Sequence, residues 1–453
     1  MTVADKATID RPAFLAGLRA SGILADARLD RALADVSPFA RSAREVAEHL
    51  VAGEVLTRFQ AERLLVGRSD GFAVGPYVIL DHLGKSATGR VFKARHRTMN
   101  RLVAIKMLSP ELTANDAVRE AIRAEARTAA KLTHPNLVTL LDVNQAGDRM
   151  YFVKEYLDGA AVGAVLRESG RLAVGQAGDV IRQAALGLQH AHEKGMAHGR
   201  VSPSAILIGQ PSRNGVADRP PVKVSGFGLG RFAAEGDARA DDFEYRAPEQ
   251  FADPELATPA ADIYSLGCVL FHLLAGQPPF PAATPHEAGH GHRSQPAPPI
   301  AHFRPEVPAP VAALLAAMLA KEPAARPTAE EVALRLALFG EAGSGEHIEL
   351  NLPVASYSPA TSILQPLSAV MRRPPAEESP FAAMTLGADP HERTPVAVPT
   401  AKAKGKKTAA KRKPAPRDAT RLNPLTTVGV LLLIALGVAF ALVLMMKRAT
   451  AAG

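Results

Sequence analysis

A glycine-containing segment between two strand-like stretches constrains the fold of this chain more than any other feature. The first stretch covers residues 77–83 and leads into Gly84-Lys85-Ser86-Ala87-Thr88-Gly89-Arg90-Val91. The second stretch, Leu102-Val103-Ala104-Ile105-Lys106, ends in a lysine. A loop glycine by itself is common, but such a loop followed at this distance by a strand that ends in lysine is a much more specific pattern.

This pattern resembles the protein kinases, in which a G-x-G-x-x-G-x-V loop covers the nucleotide phosphates and a V-A-I-K strand supplies a phosphate-binding lysine. Glu125 stands where kinases place the helix glutamate that pairs with that lysine. Glu155-Tyr156-Leu157 resembles the hinge that binds adenine through its backbone. The other landmarks, in the family's order, are His134-Pro135-Asn136, Ala247-Pro248-Glu249, Asp262-Ile263-Tyr264-Ser265-Leu266-Gly267 and Arg326-Pro327.

The resemblance implies an α+β chain with a two-lobed protein-kinase-like fold over residues 77–339, similar to bacterial serine/threonine kinases of the eukaryotic type. It implies that Glu249 pairs with Arg326 and that Asp262 holds the catalytic loop from below, which are scaffold roles. It also implies a cofactor-binding set made of Gly84, Gly89, Val91, Ala104, Lys106, Glu125, Glu155 and Leu157.

The residues that carry phosphoryl transfer in the family are replaced. In the loop that begins at His198, Arg200 stands in place of the catalytic aspartate and Ser202 in place of the loop lysine. Ala205 replaces the metal-binding asparagine, and Gly226 replaces the magnesium-holding aspartate of the D-F-G triplet. Because Mg²⁺ needs oxygen ligands, we expect no metal site and no catalytic residues. The sequence therefore predicts a pseudokinase.

Nucleotide binding stays open in this interpretation. Lys154 precedes the hinge, where the family usually has an apolar or small residue, and could pair with Glu125 and displace Lys106. Ser86 replaces the second glycine of the loop. We expect that ATP, where it binds, does so without a metal ion, and Mg²⁺ is not expected as a cofactor.

The uncharged segment 426–446 predicts a transmembrane helix, because its length of about 30 Å at 1.5 Å per residue matches a bilayer core. Nine basic residues precede it and two follow it. By the positive-inside rule, the domains before the helix lie in the cytoplasm and the short tail 447–453 lies outside. The sequence thus predicts a single-pass protein of the cell inner membrane or plasma membrane.

The position of the basic residues decides which partners we expect. The chain has a net charge of +8, and nine basic residues minus one acidic residue between positions 402 and 421 give the same surplus, 9 − 1 = 8. The rest of the chain is neutral in sum, so at the juxtamembrane segment 402–425 we expect anionic membrane lipids in preference to nucleic acid. A single cysteine, Cys268, excludes an intramolecular disulfide framework and a cysteine-based zinc cluster.

Two further segments flank the kinase-like region. Residues 1–70 carry apolar residues at helical spacing and predict a small helical N-terminal domain. The segment 340–401 has nine prolines after residue 340 and no sustained apolar period, which predicts a disordered linker.

The segment from His286 to His290 spells H-E-x-x-H, the signature of zinc proteases. His292 stands close enough to be imagined as a third ligand. The segment follows Gly276-Gln277-Pro278-Pro279-Phe280, which is another kinase landmark, and Gly289 weakens any helix there. We therefore interpret it as part of the kinase-like scaffold.

Three functions remain open on the sequence. The favoured one is a membrane-anchored pseudokinase that acts as a signalling scaffold or allosteric regulator of cytoplasmic signalling proteins. The second is an active serine/threonine protein kinase with an atypical site, for which Asp237, Asp241 or Asp242 would have to supply a displaced acidic group. The third is a lipid- or nucleic-acid-binding adaptor that works through residues 402–421.

Overall fold

The structure is a computed structural model that describes residues 9–36, 40–86, 88–211, 219–229, 232, 243–253 and 256–340. The segments after residue 340, which include the predicted linker, basic segment, transmembrane helix and tail, lie outside the described residues, as do Asp237, Asp241 and Asp242. Within the part of the chain that the structure describes, no helix is both long enough and apolar enough to cross a bilayer.

Four helices form the start of the chain, where apolar spacing predicts helices. They are α1 (Arg11–Ala20), α2 (Asp26–Ala34), α3 (Ala43–Ala52) and α4 (Arg58–Leu65). Asp10, Ser42 and Thr57 each accept a backbone N–H bond at the start of α1, α3 and α4, which satisfies part of the unpaired first turn. The helices pack around Phe14 and Leu50, both 0% exposed.

The smaller lobe is a six-stranded sheet with strand order β1-β2-β3-β4-β6-β5, and every neighbouring pair is antiparallel. Its strands are β1 (Ala73–Val74), β2 (Tyr77–Ser86), β3 (Gly89–His96), β4 (Leu102–Leu108), β5 (Leu140–Ala146) and β6 (Arg149–Glu155). Two helices, α5 (Pro110–Thr113) and α6 (Asp116–Ala129), connect β4 to β5. The strand that carries Lys106 therefore lies in the interior of the sheet.

The helical domain is fixed to strand β2. Thr57 Oγ1 donates to the carbonyl of Leu80 at 2.6 Å, and Gln60 Nε2 donates to the carbonyl of Ile79 at 2.7 Å. Val78 belongs to the core of the helical domain, and Leu80 packs at its edge. Strand β2 therefore contributes Val78 to the apolar core of the helical domain.

The larger lobe is mainly helical. Its helices are α7 (Val162–Ser169), α8 (Val174–Glu193), α9 (Pro259–Ala275), α10 (Pro285–Ser294), α11 (Ala309–Met318) and α12 (Ala329–Gly340). A three-stranded sheet lies in the same lobe and consists of β7 (Gly159–Ala161), β8 (Ile206–Gly209) and β9 (Val222–Val224).

Helix α9 is the central element of this lobe. Thr258 caps its first turn, Pro259 occupies its first position, and Gly276 ends it with a left-handed φ of 80°. Its side chains from Ile263 onward are apolar almost all round, which is typical of a helix buried on every side. Cys268 is 0% exposed within it, and burial raises the pKa of its thiol, so this cysteine is a core residue.

Two scaffold contacts implied by the resemblance are confirmed. Asp262, which is 0% exposed, accepts backbone N–H bonds from His198 and Gly199, each at 2.7 Å. Arg326 and Glu249 form a two-pronged ion pair, with Nη1–Oε1 at 2.6 Å and Nη2–Oε2 at 2.9 Å. The first contact fixes the loop at His198 on α9, and the second ties Glu249 to Arg326, which lies shortly before α12.

Candidate functional site

The glycine loop forms a hairpin that is paired close to its tip. Gly84 pairs with Val91 and Ser86 pairs with Gly89, and Ser86 Oγ donates to the Gly89 carbonyl at 3.1 Å. A Cβ atom on Gly89 would collide with the carbonyl oxygen of Met107, so only glycine allows β3 and β4 to approach this closely. The loop glycine at 89 thus has a packing role as well as its expected role at phosphate.

Lys106 and the apolar residues expected above an adenine ring share one face of the sheet. The Cα of Lys106 pairs with Val91 on β3 and with Phe152 on β6, and Ala104 points to the same side two residues earlier. Lys106 is 7% exposed, whereas Val91 and Ala104 are half-buried. Glu125 lies in α6 and is half-buried. Contact between these residues and a nucleotide stays a prediction.

The hinge is tied to the larger lobe through a side chain. The carboxylate of Glu155 forms an ion pair with Lys223 of β9 at 3.0 Å. Leu157 is half-buried two residues further on, and the ammonium of Lys93 lies 4.4 Å from the ring centre of Tyr156. The roles of Lys93 and Lys223 could not be predicted, because a lysine in a strand gives no signal of the hinge that it contacts.

Lys154 lies behind the cleft and is almost completely buried. Burial alone lowers the pKa of its ammonium to about 8, and no ion pair with Glu125 contributes to this shift. The predicted alternative in which Lys154 pairs with Glu125 is therefore wrong. Instead Lys154 lines a small rear cavity whose other walls are Ala129, Leu132, Leu137, Val138, Leu140, Gly226 and Phe227.

The catalytic loop keeps its place although its chemical groups are replaced. Gln250 Nε2 donates to the Gly199 carbonyl at 2.8 Å, and the backbone N–H of Arg200 donates to His198 Nδ1 at 3.1 Å. With the two bonds to Asp262, these contacts hold the loop from both sides. Arg200 is half-buried at the position expected of the catalytic aspartate.

The two positions that hold magnesium in the family are adjacent and offer no ligand. The backbone N–H of Ser225 donates to the Ala205 carbonyl at 2.8 Å, which places Ala205 beside Gly226. Neither side chain has an oxygen atom, and the hydroxyl of Ser202 lies 2.9 Å from that of Ser204. These residues do not fit Mg²⁺. Across the described ranges, no group of three or more His, Cys, Asp or Glu side chains is placed to hold a metal ion.

Gly226 has a backbone conformation that suits only glycine. Its φ is 122°, and His198 packs edge-to-face on Phe227 with ring centres 4.8 Å apart. Burial lowers the pKa of His198, and the positive charges of Lys154 and Lys106 act in the same direction. The rear of the cleft therefore combines two lysines with a neutral histidine, where active kinases place a carboxylate.

A recess lies between the catalytic loop and the segment after residue 244, and we call it the loop recess. Its lining includes two arginines, Arg200 and Arg246. Arg246 is 8% exposed and stands directly before the Ala247-Pro248-Glu249 landmark. No sequence motif predicted that Arg246 lines a recess. The full lining is Gly199, Arg200, Val201, Ser202, Tyr245, Arg246, Gln250 and Ser265.

The H-E-x-x-H segment is part of α10. His286 and His290 are exposed, and Glu287 accepts a backbone N–H bond at 3.0 Å that caps the start of the helix. His292 is 0% exposed, bonds Tyr264 through Nδ1 at 3.0 Å, and has its pKa lowered to about 3 by burial. His292 and Glu287 therefore stabilise the packing and the start of helix α10.

Comparison with known proteins agrees with this geometry. The family model described as "Protein kinase domain" matches residues 77–335. Serine/threonine-protein kinase PknD of Mycobacterium tuberculosis is 33% identical over 241 residues, which is 52% of this chain and 35% of that protein. Serine/threonine-protein kinase PknB of Mycobacterium leprae is 32% identical over 233 residues, which is 49% of this chain and 36% of that protein. The match therefore covers little more than a third of each relative.

Among solved structures, the kinase domain of PknI from Mycobacterium tuberculosis is similar to this chain. The two share 25% sequence identity with a TM-score of 0.48, and the match covers 59% of this chain and 98% of the PknI chain.

Proposed function

This chain belongs to the protein kinase family through residues 77–335, and from that premise we propose that it is a pseudokinase that works by binding other molecules instead of transferring phosphate. Its relatives are bacterial serine/threonine kinases. In this proposal it acts as a signalling scaffold or allosteric regulator of cytoplasmic signalling proteins.

The observation that carries the proposal is the conformation of Gly226. Phosphoryl transfer depends on carboxylates that hold magnesium and orient the nucleophile. Gly226 has no side chain that could bind a metal. Its φ of 122° is one that an aspartate would adopt only with strain. Arg200 adds a positive charge where a base should accept a proton, and Ala205 cannot bind a metal. Three separate requirements of catalysis are lost together.

The scaffold contacts support a protein that still folds as a kinase. The Asp262 and Arg326 contacts are maintained even though the chemistry they support in the family is gone. We propose that ATP, if it is a ligand, binds metal-free between Val91, Ala104 and Lys106, because two lysines at the rear of the cleft match the charge of phosphate. No step is assigned to magnesium.

We also propose that the chain is anchored in a membrane by residues 426–446, with the basic segment 402–425 on anionic lipids. The proposal rests on the sequence of these segments. It would keep the kinase-like domain at the cytoplasmic face of the bilayer, near membrane-bound partners.

The test of the proposed function is transfer of labelled phosphate from ATP to the chain itself and to a basic acceptor protein, with Mg²⁺ and then Mn²⁺. The matched control is Lys106→Ala. We expect equal, background labelling for both proteins. Labelling that depends on Lys106 would show an active kinase and contradict the proposal.

Thermal unfolding with ATP tests the metal-free site separately. A ligand at 100 times its Kd adds about 2.7 kcal/mol to the free energy of unfolding. We expect any rise in midpoint to be as large with a chelator as with Mg²⁺. A rise that requires Mg²⁺ would mean that a metal site survives.

A further inference from the structure

The hairpin between β3 and β4 ends in a segment rich in arginine, residues 95–101, which we call the arginine tip. Its sequence is Arg95-His96-Arg97-Thr98-Met99-Asn100-Arg101, and its three arginines are exposed. Met99 is 72% exposed, more than any other large apolar side chain in the described ranges. One exposed apolar side chain is ordinary on a protein surface, but here it stands at the end of a basic hairpin.

The arginine tip is a closed turn. The N–H of His96 donates to the carbonyl of Arg101 at 2.9 Å, and the N–H of Asn100 donates to the carbonyl of His96 at 2.9 Å. The N–H of Met99 donates to Nδ1 of His96 at 3.1 Å. Asn100 has a φ of 51°, a left-handed conformation that asparagine adopts more readily than most residues. Because the turn is already ordered, binding through Met99 would cost little backbone entropy.

The arginine tip is also fixed to the helical domain and to β2. The side chain of Arg97 donates to the carbonyl of Gly22, which lies between α1 and α2. The N–H of Arg97 donates to the carbonyl of Pro76 at 2.9 Å. The ring of His96 packs edge-to-face on Tyr77, with ring centres 5.1 Å apart. The tip is therefore presented on a rigid base.

One acidic residue lies near Arg101. Burial raises the pKa of Tyr77, and Asp142 adds to this rise whereas Arg101 opposes it. The carboxylate of Asp142 accepts the backbone N–H of Val143 at 2.8 Å and a bond from the side chain of Asn144. Asp142 therefore offsets the charge of one arginine only in part, since its oxygens are bonded within β5.

The acidic residues on the other face of the hairpin are set back from the tip. Burial lowers the pKa of Lys93, which Asp158 and Asp81 oppose. Asp81 pairs in register with Lys93, whereas Arg95 pairs with Val78, three residues nearer the end of the hairpin. Residues 95–101 contain no Asp or Glu. The end of the hairpin therefore combines positive charge with one exposed apolar side chain.

We propose that the arginine tip docks on a bilayer surface that contains anionic lipids, with its arginines at the headgroups and Met99 at the boundary with the acyl chains. Such a surface matches the tip because it offers an apolar layer beneath an anionic one. Nucleic acid offers phosphates but no apolar layer for Met99. The proposal goes beyond the proposed function and does not need the anchor 426–446, because it assigns the contact to the smaller lobe itself.

The experiment uses the full chain with an environment-sensitive fluorophore beside Met99. Cys268 is the single cysteine and is 0% exposed, so Thr98→Cys adds one accessible thiol for labelling. The labelled chain is reconstituted with phosphatidylcholine vesicles, with or without phosphatidylserine. We expect brighter, blue-shifted emission only with phosphatidylserine. Ser169→Cys, exposed at the end of α7, carries the control label and should not respond.

No response of the label at position 98, or an equal response of the label at position 169, would overturn the proposal.

Charge variants test the arginines with the label at position 98. One basic residue near an anionic surface contributes about fivefold in binding, so Arg95→Gln combined with Arg101→Gln should weaken docking about 25-fold. The matched control is Arg167→Gln combined with Arg335→Gln, which changes exposed arginines on α7 and α12 by the same total charge. An equal loss in the control pair would mean that net charge alone attracts the chain, and the tip would not be the contact.

A further pair of variants tests the apolar side chain. Met99→Ser should weaken docking about fivefold, because it removes apolar surface that the bilayer would cover. Leu334→Ser is the matched control, since Leu334 is 65% exposed on α12 and should change docking less than about twofold. Equal docking in Met99→Ser and in the parent protein would contradict the assigned place of Met99.

Other occupants of the arginine tip give different results. A label response to duplex DNA, without one to phosphatidylserine, would assign the arginines to nucleic acid. A response that grows with protein concentration in the absence of vesicles would place a second copy of the chain at Met99. Either result would overturn the proposal. Neither bears on phosphate transfer, so the pseudokinase proposal would stand, and Lys106-dependent transfer would contradict that proposal alone.

Discussion

Gly226 and His198 are packed so closely that a Cβ atom on Gly226 would lie 3.0 Å from Nε2 of His198. This is tighter than an ordinary van der Waals contact, and His198 is itself held by a 3.1 Å contact to the Ser225 carbonyl. The backbone at this position thus favours glycine over a residue with a side chain.

Gly226→Asp should lower the stability of the protein by about 1–3 kcal/mol, because aspartate at this φ is strained and its Cβ crowds His198. It should also leave phosphate transfer at background, since Arg200 and Ala205 remain. Thermal unfolding and the labelling assay measure the two effects. Gly175→Asp is the matched control, because Gly175 has open space around it in the first turn of α8 and should tolerate an acidic residue. Equal stability of the two variants would contradict the argument.

Lys154→Met should raise the free energy of unfolding near neutral pH, by about 1–3 kcal/mol, because it removes a buried ammonium. The folded-state pKa of Lys154, about 8, lies below its ordinary value of 10.5. Between these values the unfolded chain binds more protons, so the contribution of Lys154 to stability increases as pH rises from about 8 to 10.5.

Urea unfolding of wild type and Lys154→Met at about pH 7 and about pH 10 tests this sign. The stability advantage of the variant should shrink at the higher pH. Lys131→Met, which changes an exposed lysine, is the control and should track the wild type. An advantage that grows with pH would mean that the ammonium is stabilised in the fold.

Arg326→Met should destabilise the larger lobe by about 3–5 kcal/mol, because it leaves Glu249 without its partner in a largely buried place. The Arg326 side chain is 0% exposed and that of Glu249 is 18% exposed. The comparison is Arg19→Met, whose ion pair with Asp30 joins side chains that are 52% and 59% exposed. We expect that variant to change stability by less than about 1 kcal/mol. Similar losses in both variants, measured by urea unfolding, would show that burial does not set the strength of these pairs.

Gln60→Ala should lower the free energy of unfolding by about 1–3 kcal/mol, since the carbonyl of Ile79 and the N–H of Thr57 would lose their partner. Arg58→Ala, an exposed change in the same helix, should have little effect. Because the helical domain shares a core with β2, we expect one cooperative unfolding transition for residues 9–340 of wild type. A separate transition for the helical domain would contradict the shared core.

Residues 426–446 should keep the full chain in the membrane fraction after washing with high salt and with alkaline carbonate. A variant that ends after residue 401 should be released into the soluble fraction. Release of the full chain by salt alone would show that the basic segment holds it by charge and that no helix spans the bilayer.

Several features of this protein could be read from the sequence because each depends on residues close together in the chain or on a fixed order of motifs. The loop at Gly84, the strand that ends at Lys106, and the replacements at Arg200 and Gly226 are of this kind. The Arg326–Glu249 pair could also be anticipated, because buried charges require partners and the family landmarks supply them.

Other features were decided only by the tertiary structure, because they depend on which segments meet in space. Apolar spacing predicts the helices before residue 70, but only the packed structure shows that Gln60 donates a hydrogen bond to β2. The sequence allowed Lys154 to pair with Glu125, whereas the fold places Lys154 in an apolar cavity without that partner. Arg246 is 46 residues from Arg200, and no local pattern reveals that the two arginines line one recess. Local propensity and motif order determine the secondary structure and the family landmarks of each segment. Long-range packing determines which residues of distant segments come into contact.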